Sequence, residues 1–427
     1  MDPKASNVAH VVEHLFRHEA GRMVAILTGI FGVENLTLAE DVVQEALARA
    51  MQTWPFYGIP DNPSAWIMRT SRNLALDVVR RQKVFREKES EIIRLMDRTA
   101  PGPDDAIYPE QEIADDRLRL MFVCCHPLVP AEAQLALALK TLCGFGITEI
   151  SRAFLTSDAA IAKRLTRARQ KIREARIPFE IPAGKDLGHR LDAVLQLLYL
   201  LFNEGYKAST GDHLVREELC HEAIRLAQLL VDHPLCRCPK SDALLALMLL
   251  NASRLPARTD ERGHLLRLED QPRQRWDQAM IACGMFHLAR SAAGEELSAY
   301  HLEARISACH CLAGDYASTD WPQILALYDQ LAASVDSPVV ALNRAVAVAN
   351  VHGPAAGIAA IEAIPERDQL KSYYLLYAVL GELEFRRRGF ASAAAHYRKA
   401  IELTDLPSER SFLSGKLKSC ETRAVAV

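Results

Sequence analysis

Seven cationic side chains, Lys163, Arg164, Arg167, Arg169, Lys171, Arg173 and Arg176, fall within the seventeen residues AIAKRLTRARQKIREAR, 160–176. Guanidinium and ammonium groups at this density suit charge-assisted hydrogen bonds to phosphate oxygens, so the chemistry they suggest is polyanion binding. The whole chain has a formal net charge of only −3, so the concentration is local. Between Arg152 and Arg176 eight basic residues face two acids, a net +6. Between Arg69 and Lys88 seven face two, a net +5. Two such segments separated by an acid-rich stretch suggest two contacts with one polyanion.

Helices must position these groups. At 100° per residue Ile161, Leu165, Ala168 and Ile172 share one stripe, with Ala160, Lys163, Arg164, Arg167 and Lys171 opposite. Upstream, GFGITEISRAFLTSD (144–158) spaces Ile147, Ile150 and Phe154 on one face and offers Thr156 and Ser157 as caps. Helix, short turn, basic helix is the helix-turn-helix order, whose second helix enters the major groove. Lys163, Arg164 and Arg167 would then reach bases or phosphates, with Arg169 and Arg173 flanking the backbone. A basic helix met alone is more often a solvated face, and the second basic segment weighs against that here.

That segment, PSAWIMRTSRNLALDVVRRQKVFREK (63–88), puts Ile67, Leu74 and Val78 on one stripe. Arg69, Arg72, Asn73, Arg80 and Lys83 fall opposite. Before it, MQTWPFYGIPDN (51–62) reads as a Pro/Gly loop crowded with aromatic rings. Trp54 and Trp66 are expected in the core, while Phe56, Tyr57, Asp61 and Asn62 are candidates for touching unstacked bases. LTLAEDVVQEALARAMQTW (36–54) opens with the capping-box pattern Thr37-x-x-Glu40. Its periodicity buries Val43, Ala46, Leu47 and Ala50 and exposes Asp41, Gln44, Glu45 and Arg49.

The remaining chain bounds the answer. At 427 residues, 49% of them hydrophobic and 25% charged, it is a soluble protein with room for two to four domains. The longest apolar run, AVLQLLYLLF (193–202), is too short to span a bilayer, and no secretory pattern opens the sequence. The expected address is the cytoplasm, with no membrane contact. Ten cysteines are then expected as thiols. Cys236/Cys238, Cys309/Cys311 and CCHP (124–127) lack zinc-site spacing and read as small apolar residues, so neither a metal nor a cofactor is expected. No phosphate loop, dinucleotide fingerprint, HExxH or nucleophile elbow occurs, so nothing supports an enzyme. Strand patterns are almost absent, and the fold class is all-α. The expected units are a first block over 8–90, an acidic linker over 91–114, a second block over 115–178 and a long helical array over 186–427.

Taken in order, these segments resemble the extracytoplasmic-function (ECF) sigma factors of bacterial RNA polymerase across residues 8–176. AEDVVQEALARA resembles the region 2 helix that grips the β′ clamp, which implies that Asp41, Gln44, Glu45 and Arg49 bind core polymerase. NPSAWIMRTSRNLALDVVRRQK resembles the helix that reads and opens the −10 element. PAEAQLALALKTLCGFGITEISRAFLTSDAAIAKRLTRARQKIRE (130–174) resembles region 4, which binds the −35 element beside the β flap. The resemblance implies promoter DNA and core polymerase as partners, a linker threading the RNA-exit path, and no catalytic residue. Ser157 stands where a proline is common and Ala160 where a hydroxyl residue is common.

The C-terminal half exceeds an ordinary ECF factor. LGELEFRRRGFASAAAHYRKAIEL (380–403) matches the tetratricopeptide (TPR) pattern at Leu380-Gly381, Gly389-Phe390, Ala393, Tyr397 and Ala400. A similar hairpin is expected over 339–364, so TPR-like hairpins should lie near 339–405. LYLLFNEGYKAS (198–209) and DQPRQRWDQ (270–278) resemble segments of the ECF branch with a TPR-like extension. Asn203, Glu204, Tyr206 and Trp276 serve either packing or a regulatory surface that takes a small protein or ligand. Two other readings stay open: a helix-turn-helix regulator with a TPR sensor that never joins polymerase, and a TPR scaffold with an incidental basic face.

Overall fold

The computed structural model describes residues 8, 11–12, 14–16, 19–81, 110–153, 156–206, 217–260, 266–294, 296–404 and 406–425. Among them every regular element is a helix, as the 3.6-residue periodicity requires. None is long and apolar enough to cross a membrane. The chain divides into two compact units, 1–201 and 202–427, so the boundary falls inside a helix beyond the Pro/Gly break at 178–184.

After helical residues at 8, 11–12 and 14–16, the first unit holds α1 (Ala20–Phe31), a short 3-10 turn at Val33–Asn35, α2 (Leu36–Tyr57) and α3 (Pro63–Arg81). α1 and α2 stop at Gly32 and Gly58, whose φ of +89° and +87° suit a residue without a Cβ. Each glycine N–H returns 2.9 Å to a carbonyl four residues back, closing the last turn. α2 runs through Pro55 to Tyr57, so the loop expected at 51–57 is helical and only 58–62 turns the chain. The capping box is also corrected: Asn35 occupies the cap with no side-chain bond, and Glu40 is buried. On α3 the buried stripe is Ile67, Ser71, Ala75 and Val79, with Leu74 and Val78 only half-buried at its edge. Ser71 fits there because its hydroxyl bonds the Ile67 carbonyl at 2.8 Å.

Next come α4 (Glu110–Cys124), α5 (Ala131–Thr141), α6 (Ile147–Ala153), α7 (Asp158–Glu174) and α8 (Lys185–Tyr206). The acidic linker lies outside the described residues up to Pro109, and its last five residues already belong to α4. α1 packs on α4 and α5, and the Val33–Asn35 turn packs on α7, so the two expected blocks share one core. The approach is close: a Cβ on Gly21 would run into the Leu142 carbonyl. Arg190 of α8 is buried, and its guanidinium donates 2.6 Å to the Phe122 carbonyl of α4.

The second unit holds α9 (Glu217–Asp232), α10 (Pro239–Ala252), α11 (Gln278–Ser291), α12 (Ala299–Leu312) and α13 (Trp321–Ser334). It continues with α14 (Pro338–His352), α15 (Pro354–Glu362), α16 (Tyr374–Arg386), α17 (Phe390–Leu403) and α18 (Pro407–Val425). Helices packed on their chain neighbours bury local clusters, such as Leu342, Ala345 and Ile361 with Leu380 and Leu383. Gly381 lets the Tyr397 ring lie against α16, since a Cβ there would sit 2.9 Å from the ring. All ten cysteines are free thiols, and Cys283 is exposed while Cys236 is fully buried.

Candidate functional site

α2 presents the acid-and-amide stripe as its periodicity demands. Asp41, Gln44, Glu45 and Arg49 are exposed, while Val43, Ala46, Leu47 and Ala50 are buried beneath them. Glu45 and Arg49 pair at 3.0 Å one turn apart, a surface contact worth a few tenths of a kcal/mol. At the end of the helix Phe56 and Tyr57 are 84% and 89% exposed, so neither ring contributes to the core. Trp54 is buried and meets the half-buried Trp66 edge to face at 5.5 Å.

Asp61 and Asn62 are exposed, and Asn62 accepts the Ala65 N–H at 3.0 Å, capping α3 as well as facing solvent. Along α3, Arg69, Asn73 and Arg80 are exposed and Arg72 is half-buried. Lys83 lies outside the described residues.

α7 sorts its side chains as expected: Ile161, Leu165, Ala168 and Ile172 are each at most 1% exposed. Ser157 starts it by accepting the Ala160 N–H at 3.2 Å. Asp158 ties α6 to α7 through bonds from Thr148 at 2.7 Å and from Ser151. Ile150 is buried, Ile147 half-buried, and Phe154 lies outside the described residues. Lys163, Arg167, Lys171 and Arg173 project into solvent and form no ion pair among the described residues. Ala160 is half-buried.

Two arginines of this helix are held internally. Arg164 pairs with Glu132 at the start of α5 at 3.1 Å, with the acid 75% exposed. Arg169, expected beside the DNA backbone, instead meets Glu40 of α2 at 2.5 Å in a buried setting. Glu40 Oε1 and Arg169 Nε each lack a hydrogen-bond partner among the described residues, so the pair is incompletely satisfied there. Burial outweighs the attraction of Arg169 and Lys140 and, with repulsion from Asp41, pushes the Glu40 carboxyl up to about 7. Burial also lowers the Lys140 ammonium below its ordinary range, against the pull of Glu40. Glu40 was missed as a site residue because its partner is remote. The available signal was its place on the inward stripe between Ala39 and Val43, where an acid demands a cation.

In the second unit Tyr206 is half-buried, Trp276 is 3% exposed, Asn203 is exposed and Glu204 is half-buried. Among the described residues no group of three or more His, Cys, Asp or Glu could hold a metal ion.

Residues 15–84, which contain α1 to α3, match Sigma-70 region 2, and residues 190–292 match a family of unknown function (DUF6596). The chain is 39% identical over 388 residues, 90% of each protein, to Uncharacterized protein R00370 of Rhizobium meliloti (strain 1021). It is 28% identical over 162 residues to ECF RNA polymerase sigma factor SigE of Mycolicibacterium smegmatis (strain ATCC 700084 / mc(2)155). That second alignment covers 38% of this chain and 60% of the relative. No solved structure matches the chain at a significant level. The chain thus belongs to one family with the Rhizobium R00370 protein, and within it residues 15–84 carry the likeness to Sigma-70 region 2.

Proposed function

We propose that this protein is an alternative sigma factor that joins core RNA polymerase and directs it to promoters. Asp41, Gln44, Glu45 and Arg49 engage the β′ clamp. Phe56, Tyr57, Asp61, Asn62, Arg69, Arg72, Asn73, Arg80 and Lys83 bind the −10 DNA. The 144–176 helix-turn-helix binds the −35 element through Lys163, Arg164, Arg167, Lys171 and Arg173, with Ala160 at the groove and the β flap alongside. The 186–427 array, with TPR-like hairpins near 339–405, regulates this activity in the cytoplasm through a small protein or ligand. The observation that carries the reading is the set of exposed cations Lys163, Arg167, Lys171 and Arg173 on α7, which form no ion pair among the described residues and lie downstream of an exposed acid-and-amide stripe within a region 2 match.

Promoter binding then requires opening. Positions −10 and −35 are about 85 Å apart on straight duplex at ~3.4 Å per base pair. A compact unit of this length has a radius of gyration of only about 17 Å, so α3 and α7 cannot reach both elements while Glu40 holds Arg169. By chain length alone the stretch 82–109 could reach at most roughly 90–100 Å, so the sequence permits the separation. Opening releases Arg169 to the DNA backbone. Retention of bacterial core polymerase by the tagged chain tests the proposal: wild type should hold it, and Asp41→Lys with Glu45→Lys should weaken the hold. Failure of the wild-type chain to retain polymerase while it binds operator-like DNA alone would favour the stand-alone regulator.

A further inference from the structure

The second unit contains a group of cations for which the promoter reading has no use. Arg254 follows α10, Arg273 opens a 3-10 turn, and both lie over the Trp276 ring, their guanidinium carbons 5.8 and 3.9 Å from its centroid. Arg254 also lies 5.7 Å from the Tyr206 ring, which Arg258 covers at 4.1 Å on its own account. Cation and aromatic side chains therefore alternate along Arg258, Tyr206, Arg254, Trp276 and Arg273. Stacking satisfies the faces of these groups and leaves their N–H edges to find acceptors.

Arg254 Nη2 donates to Asn251 Oδ1 and Arg258 Nη1 to the Tyr206 carbonyl at 2.5 Å, but other buried edges of this group find no acceptor among the described residues. Arg254 Nε, Arg273 Nη1 and Nη2, Trp276 Nε1 and His310 Nδ1 are all buried without a hydrogen-bond partner. These atoms are half of the buried orphans among the described residues; Arg254 and Arg273 meet at the Trp276 indole, and His310 lies within reach of both their charges. His310 on α12 is 8% exposed, and burial together with the fields of Arg254 and Arg273 lowers it to about 3. The imidazole is thus neutral and can turn an N–H toward an anion. Neither arginine has an ion-pair partner among the described residues. Asp315, whose field reaches Arg273, is exposed and already accepts the Ser318 N–H at 2.7 Å. Water can fill orphaned hydrogen bonds, but it cannot neutralise two neighbouring guanidiniums.

His310 also borders a cavity of about 280 Å³, lined in part by Tyr316, Trp321, Tyr328, Asn343 and Asn350. Its ring meets Trp321 edge to face at 5.4 Å. The volume is near the lower end for small-molecule sites, and the wall adds Arg267, Arg386, Glu269 and Glu382 to its aromatic rings and amides, which suits a flat organic body with polar edges.

We propose that Arg254, Arg273, Trp276 and His310 form an oxyanion site that holds the phosphoryl group of a small phosphorylated molecule, whose body occupies the adjoining cavity. Two formal positive charges match a phosphate monoester, which carries about −1.5 to −2 near neutrality, better than a carboxylate at −1. Donors from four side chains likewise exceed what the two coplanar oxygens of a carboxylate accept well. The helical array would thereby sense a metabolite, independently of what the first unit contacts.

Calorimetric titration of the full chain tests this with four probes: inorganic phosphate, pyrophosphate, phenyl phosphate and benzoate. Phenyl phosphate should bind at least tenfold more tightly than either benzoate or inorganic phosphate. Arg273→Gln and Arg254→Gln, each checked for helicity by circular dichroism, should each weaken phenyl phosphate tenfold or more. Trp321→Leu should weaken phenyl phosphate while leaving inorganic phosphate unchanged. Pyrophosphate binding above phenyl phosphate would overturn the role of the cavity. No binding of any phosphate probe, equal binding of benzoate, or full affinity in both well-folded arginine variants would overturn the site itself.

Discussion

Glu40→Gln is the most informative substitution in the first unit, because it leaves side-chain size unchanged while removing the charge that Arg169 holds. In the closed arrangement the carboxyl lies near 7, whereas on an opened α2 it returns to its ordinary value near 4.5. A carboxyl with the higher pKa in the closed form binds more protons there, so protonation favours closure. That advantage is present in full below about pH 4.5 and is lost as pH rises through about 7. The whole shift corresponds to roughly 3 kcal/mol, of which about 1.4 kcal/mol, a tenfold change in the closed-to-open ratio, falls between pH 8 and pH 6. Förster transfer between probes placed by non-natural amino acids at Asp61 and Lys171, both exposed, reads this equilibrium directly. Wild type should move toward closure on acidification, and Glu40→Gln should lose that response. Equal pH dependence in the two proteins, or opening of wild type in acid, would refute the assigned role of Glu40.

Other consequences are simpler to measure. Lys163→Ala and Arg167→Ala should each lower the slope of log affinity for promoter DNA against log salt by about one, checked by filter binding across a salt series. Leu165→Ala, at 1% exposure, should cost about 2–5 kcal/mol in urea unfolding of the first unit. Gly381→Ala should destabilise the second unit by about 1–3 kcal/mol, because the added methyl meets the Tyr397 ring at 2.9 Å. A chain ended at residue 184 should unfold more readily than one ended after Tyr206, since it loses the Arg190 bond to Phe122.

The parts of the molecule legible in the sequence are those governed by local periodicity. On α7 a strict apolar stripe among cations left one inward face available, and Ile161, Leu165, Ala168 and Ile172 occupy it. The exposed stripe of α2 followed from the same rule. α3 was harder, because Ser71 and Ala75 form its buried line and a small or polar residue gives a weak apolar signal. Pro55 suggested a break, yet Phe56 and Tyr57 remain helical until Gly58 turns the chain. Glu40 shows the limit most clearly. A capping pattern four residues long is matched by Thr37 and Glu40, but burial against Arg169, 129 positions away, decides the conformation. The gathering of Arg254 and Arg273 over Trp276, with His310 in reach of their charges, likewise depends on tertiary packing, and only Trp276 was singled out by its local motif.

Promoter-directed initiation is tested most directly by run-off transcription with purified bacterial core polymerase on a library of promoter fragments, with and without the full-length chain. Addition of the chain should produce transcripts from defined start sites on a subset of fragments, diminished by Asp41→Lys together with Glu45→Lys. An identical transcript pattern with and without the chain, under conditions where the folded protein is present in excess, would contradict the assignment.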